Sequence, residues 1–81
     1  MKDIELKRIA KKTIRKVYMK DMEIIERTSE YFVVSIKGSR FVVFNDNGDW
    51  CSVFCSIKKT FKQAYEDYKS DLDNVRNLRL G

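Results

Sequence analysis

At 81 residues the chain is long enough for one small domain, residues 1–81, and leaves no room for a second. It contains no His and no Pro, only three Gly and two Cys, and no repeat or low-complexity tract, so ordered elements with short connections are expected. The formal charge is +5, no apolar run approaches the roughly 20 residues of a membrane span, and the start lacks the apolar core of a signal peptide, so a cytoplasmic protein with no membrane partner is expected.

The charge is unevenly placed. Residues 1–22 hold eight basic and three acidic side chains, residues 23–57 hold three and five, and residues 58–81 hold six and four. The excess therefore sits at the start of the chain.

In residues 3–20 the positions Leu6, Ile9, Ala10, Thr13 and Val17 recur at helical spacing, which predicts an amphipathic helix. Its other face carries Lys7, Lys11 and Arg15 in one stripe and Arg8, Lys12, Lys16 and Lys20 in a second, each spaced by four. A face that is merely solvated normally mixes signs, so a helix this uniformly basic points to an anionic partner. Residues 21–30 read in two ways, as a loop anchored by Ile24 or Ile25 or as a short strand at a sheet edge.

Residues 31–57 predict three antiparallel strands. The runs 31–37 and 40–45 flank Gly38-Ser39, which suits a type II′ turn, and Asn47-Gly48 is the pair that a type I′ turn favours before the run 50–57. Counting back from these loops sets Ile36 opposite Phe41, Val34 opposite Val43, Val43 opposite Ser52 and Phe41 opposite Phe54. Alternation then puts Phe32, Val34, Ile36, Phe41, Val43, Trp50 and Phe54 on one face. The other face takes Tyr31, Val33, Val42, Phe44, Cys51, Val53 and Cys55. Both faces are apolar, so both need a cover. A twin copy seated on Val33, Val42, Phe44 and Val53 is one cover and makes a homodimer; helices on opposite faces of the sheet are the other.

Cys51 and Cys55 lie roughly 13 Å apart along one strand at about 3.3 Å per residue, too far for a disulfide. With no His in the chain they read as reduced, structural thiols, and neither a metal site nor a cofactor is expected.

Thr60 and Gln63 match a capping box, and Phe61, Ala64, Tyr65, Tyr68, Leu72 and Val75 continue a helical stripe to about Asn74, leaving residues 77–81 as a fraying tail. The expected fold class is α+β in the order α-β-β-β-α: a three-stranded antiparallel meander, with a short fourth strand open, and two helices. In this topology Lys37, Arg40, Lys58, Lys59 and Lys62 arrive at one end of the sheet and the acidic turn with Asp46 and Asp49 at the other.

This order, the strand Glu30-Tyr-Phe-Val-Val-Ser35 and the run Lys58-Lys59-Thr60-Phe61-Lys62 resemble a double-stranded RNA-binding domain over roughly residues 30–68. In that family the first helix, the first hairpin loop and a Lys-Lys-x-Ala-Lys start to the second helix read the nucleic-acid backbone. Here Phe61 replaces the Ala, and the hairpin is a minimal turn without the family's Gly-Pro-x-His element. The sheet and following helix are also reminiscent of AP2-like DNA-binding domains.

The leading expectation is therefore a non-catalytic protein that binds nucleic acid, RNA in preference to DNA, through phosphate contacts. The candidate contacts are Lys7, Arg8, Lys11, Lys12, Arg15, Lys16, Lys37, Arg40, Lys58, Lys59 and Lys62. Because Phe and Trp alternate into the sheet faces, no exposed aromatic platform is expected, which makes stacking on single strands the weaker variant. The alternative is a small dimeric inhibitor or regulator, of the type that phages and mobile elements encode, acting on an acidic protein or a nucleoprotein. No Gly-rich phosphate loop and no Ser or Cys nucleophile beside a base is present, so an enzyme is not expected.

Overall fold

Runs of β-branched and aromatic residues, punctuated by two residue pairs able to adopt positive φ, organise the centre of the molecule into an antiparallel meander. The computed structural model describes residues 2–80, with side chains through Leu78. Its elements are α1 (Asp3–Thr13), a 3₁₀ turn (Met19–Asp21), β1 (Met22–Arg27), β2 (Tyr31–Ile36), β3 (Ser39–Asp46), β4 (Asp49–Cys55) and α2 (Phe61–Leu80). The fold is α+β, and the four strands lie in the order β1-β2-β3-β4.

Residues 22–27, open between loop and strand in the sequence, form the edge strand β1. Met22 and Ile24 face inward, and a bulge between Ile24 and Glu26 turns Ile25 out to solvent. The bulge breaks strict alternation, which is why the segment carried no clean strand signal.

The first hairpin differs from expectation in its register. Lys37 and Gly38, at φ 50° and 85°, form the two-residue loop, a type I′ geometry rather than type II′ at Gly38-Ser39. Ile36 therefore faces Ser39 and Val34 faces Phe41, two residues away from the predicted partners. A shift of two leaves every side chain on its original face, so the face assignments survive the register error. The Asn47-Gly48 turn, with Val43 opposite Ser52 and Phe41 opposite Phe54, stands as read.

Each apolar face has its own helix. Leu6 and Ala10 of α1, with Ile14 beyond it, pack on Met22, Phe32, Val34, Ile36 and Val43. On the other face Ala64 and Tyr65 of α2 close over Val33, Val42, Phe44 and Cys55, with Tyr31, Val53, Tyr68 and Leu72 at the margin. The Phe44 ring meets the Tyr65 and Tyr68 rings edge-on, at centroid distances of 5.1 and 5.8 Å. Val33, Val42 and Phe44 are fully buried within the chain, and Val53 lies at the same margin. A twin copy seated on these four residues is thus not what covers the face; α2 is.

Two helix boundaries also move. α1 stops at Thr13: Ile14 leaves with extended dihedrals, its amide bonding to the Ala10 carbonyl at 2.8 Å, and Lys16 turns the chain at φ 62°. Ile14, Val17 and Met19 still point into the core while the chain crosses back over the sheet. That is why the inward pattern outran the helix, and why Arg15, Lys16 and Lys20 are not on it. α2 in contrast runs to Leu80, so 77–80 are helical rather than a tail, and Gly81 lies outside the described residues. Twenty helical residues span about 30 Å, against about 23 Å for the seven of β4. The last turns overhang, which leaves Val75 and Leu78 exposed.

The capping box is present as read: the Gln63 amide donates to Thr60 Oγ1 and the Thr60 amide to Gln63 Oε1, both at 3.1 Å. At the far end Arg76 pairs with the buried carboxylate of Asp46, tying α2 to the second hairpin. An ion pair between Asp3 and Arg27 likewise ties the start of α1 to the end of β1.

Truncating Phe44 to Ala should cost about 3–5 kcal/mol, comparable to the whole stability of a domain this small, and leave the chain largely unfolded at 25 °C by circular dichroism. The same change at partly exposed Val53 should leave it folded. An unaltered melting curve for Phe44→Ala would mean that α2 does not close this face.

Candidate nucleic-acid interface

Strand direction sorts the charged groups. β2 and β4 run toward one end of the sheet, here the hairpin end, which receives the Lys37-Gly38 turn, the 3₁₀ turn at 19–21 and the loop from Ser56 into α2. The opposite, acidic end receives Asp46 and Asp49 around the Asn47-Gly48 turn. Lys20, Lys37, Arg40, Lys58, Lys59 and Lys62 thus arrive at this end from three separate segments.

They are not equally available. Lys37 Nζ lies 3.8 Å from an Asp21 carboxylate oxygen, a long and exposed pair that carries little energy. Lys59 is held at 2.7 Å by Asp67, and that hydrogen bond, reinforced by the carboxylate's charge, pushes the ammonium pKa up. Its charge is partly answered inside the molecule. Arg40, on the α2 side of the sheet, lays its guanidinium 5.3 Å from the centre of the Phe61 ring. Phe61 in place of Ala in the lysine run is therefore the shelf on which Arg40 rests. Lys58 and Lys62 are exposed and take no carboxylate partner among the described residues. Glu23 stands two strands from Arg40 in the row Glu23, Ser35, Arg40, Cys55, and is the nearest β1 acid to this end.

The other predicted contacts are elsewhere. Lys7, Arg8, Lys11 and Lys12 lie on α1, which covers the sheet face opposite α2. Lys11 donates to the Val17 carbonyl at 2.9 Å and sits 5.8 Å from the centre of the Tyr18 ring, so it is committed to holding the turn after α1. Arg15 and Lys16 extend from that turn. The basic residues therefore form two groups, one on the α1 layer and one at the hairpin end, which meet where Lys11 and Lys20 share the Tyr18 ring.

Sequence reasoning missed the exposed aromatic groups. Phe54 is 58% exposed, contrary to the expectation that Phe and Trp turn into the sheet, and Tyr18, which that expectation did not cover, is 64% exposed. Phe54 does alternate onto the α1 face, as read, but α1 ends before reaching it. Only the length of α1, not the strand pattern, holds that information. Tyr18 sits between Lys11 and Lys20, whose amines lie 5.8 and 5.6 Å from its ring centre.

No three His, Cys, Asp or Glu side chains gather into a metal-binding group among the described residues. Among those residues, too, no helix is long and apolar enough to cross a membrane. A cleft of about 270 Å³ lies away from the basic groups, toward the acidic end, between Leu6, Arg27, Thr28, Glu30, Asn45 and Trp50.

Burial, together with the Asp46 and Asp49 carboxylates, pushes the Cys51 thiol pKa up, so at pH 8 less of it is thiolate than in a free cysteine. Alkylation of the native protein at pH 8 should be slow at Cys51 and slower at Cys55, which is fully buried, and both should react at the rate of a free thiol in denaturant. Fast native labelling of Cys55 would show that the start of α2 opens readily.

No family model matches this chain, and no characterised protein or solved structure shows significant similarity to it.

Proposed function

We propose that the protein is a non-catalytic nucleic-acid-binding module that engages the phosphates of structured RNA with the hairpin end of its sheet. The observation that carries this reading is the gathering of Lys20, Lys37, Arg40, Lys58 and Lys62 from separate segments at one end, with the acidic turn at the other. A run of like charge in sequence arises from a solvated helix face as easily as from a site. Convergence across three segments requires the fold, and it produces a dipolar molecule whose basic end attracts polyanions first. Arg40, stiffened on Phe61, offers a planar donor set suited to a phosphate, and the lysines act as point charges around it. The resemblance of residues 58–62 to the lysine run of double-stranded RNA-binding domains favours RNA over DNA. Such contacts supply affinity and strong salt dependence with little base specificity.

A second reading, a protein-binding regulator with an acidic target, is favoured by Ile57, which stands 90% exposed beside the lysines. One experiment separates the two.

Titration of an RNA stem-loop and a matched DNA duplex at 50 and 200 mM salt should show tighter binding to RNA and affinity that falls steeply with salt. Changing Lys58 and Lys62 to Glu together should weaken RNA binding by about tenfold or more and lower the slope of log affinity against log salt by about 2, with an unchanged melting temperature. Retained affinity in that variant would remove the hairpin end from the site. Failure of the unaltered protein to bind either nucleic acid would move the assignment to a protein target.

A further inference from the structure

The row that crosses the α1 face near the hairpin end runs Ile24, Val34, Phe41, Phe54, from one sheet edge to the other. Val34 is completely buried, Ile24 and Phe41 are partly covered, and Phe54 is 58% exposed. Its ring is fixed nonetheless. Phe41 meets it edge-on at 5.7 Å between centroids, so one side of the ring is braced and the rest faces solvent.

The segments on either side of Phe54 carry basic residues. Ser52, two residues before it and on the same face, donates from Oγ to the Thr13 carbonyl at 3.4 Å, which puts the end of α1 about 7 Å along the strand from Phe54. Lys12, Arg15 and Lys16 flank that point, all exposed and without a carboxylate partner among the described residues. Beyond Phe54 the chain enters the loop that carries Lys58. Along β4 the exposed ring thus lies between the end of α1 and the loop that carries the lysines.

We infer that Phe54 is a stacking platform for an unpaired base of the RNA, and that the full ligand is a stem with a single-stranded extension or loop. This rests on the phosphate-binding reading above and deepens it. An exposed aromatic ring alone would accept any apolar partner; one set between clusters of cations selects a partner that presents a flat π face between anions. A nucleotide has that chemistry. The stem meets the lysines of the hairpin end, and the unpaired strand passes over Phe54 toward Arg15 and Lys16. Unlike the phosphate contacts, this one discriminates paired from unpaired RNA, because a base inside a duplex has no free face.

The test compares two RNAs with the same stem, one blunt and one with a 3′ tail of unpaired uridines that contains a single 2-aminopurine. The probes are the unaltered protein, Phe54→Ala, Phe54→Leu and Phe54→Tyr, with circular dichroism confirming that each is folded. The unaltered protein should prefer the tailed RNA and quench the 2-aminopurine. Phe54→Ala should lose about fivefold to a hundredfold on the tailed RNA while its affinity for the blunt stem and its salt slope stay unchanged. Phe54→Leu, apolar but without a ring, should resemble Phe54→Ala, and Phe54→Tyr should retain both preference and quenching. Equal binding of tailed RNA by Phe54→Ala, or no preference in the unaltered protein, overturns the stacking inference and leaves the phosphate reading standing. If the unaltered protein binds neither RNA, both fall together.

Discussion

A sheet that is apolar on both faces has to be covered twice, and that requirement shapes the whole molecule. In a chain of 81 residues the cover must come from the chain itself or from a second copy. The two helices are spent one to a face, α1 over Phe32, Val34 and Val43 and α2 over Val33, Val42 and Phe44. The result is a three-layered molecule with two small cores. What remains uncovered on the sheet is what the helices are too short or too far displaced to reach.

The ends of the sheet follow from the same arrangement. A meander sends its turns alternately to one end and the other, so the charges near each turn are sorted by strand direction rather than by position in sequence. Asp46 is buried at one end and answered by Arg76, which makes the acidic end part of the structure. At the hairpin end Lys58 and Lys62 have no such partner among the described residues, and Arg40 is braced by a ring.

Much of this was legible in the residues because strand alternation has a period of two. The faces of β2, β3 and β4 could be assigned even though the first hairpin was closed one residue late, since the resulting register shift of two conserves the face of every side chain. The capping box at Thr60 and Gln63 depends on local hydrogen bonds alone, and it too could be read directly. What could not be read depends on where an element stops. Ile14 and Val17 continue an inward pattern after α1 has ended, because a chain crossing the sheet buries the same side chains that a helix would. The exposure of Phe54 is a consequence of that early stop. The bulge at Ile24 and Glu26 hid β1 in the same way, by breaking the period that makes a strand visible.

The central claim is that the hairpin end, and not the outer face of α1 or the acidic end, meets the ligand. Amide shift mapping by two-dimensional NMR during titration with a short RNA stem-loop tests it most directly. The account predicts that perturbed amides cluster at residues 15–21, 37–40 and 54–62 and spare residues 46–50. Perturbations centred on the outward side of α1, or on the turn at Asn47 and Gly48, would contradict it.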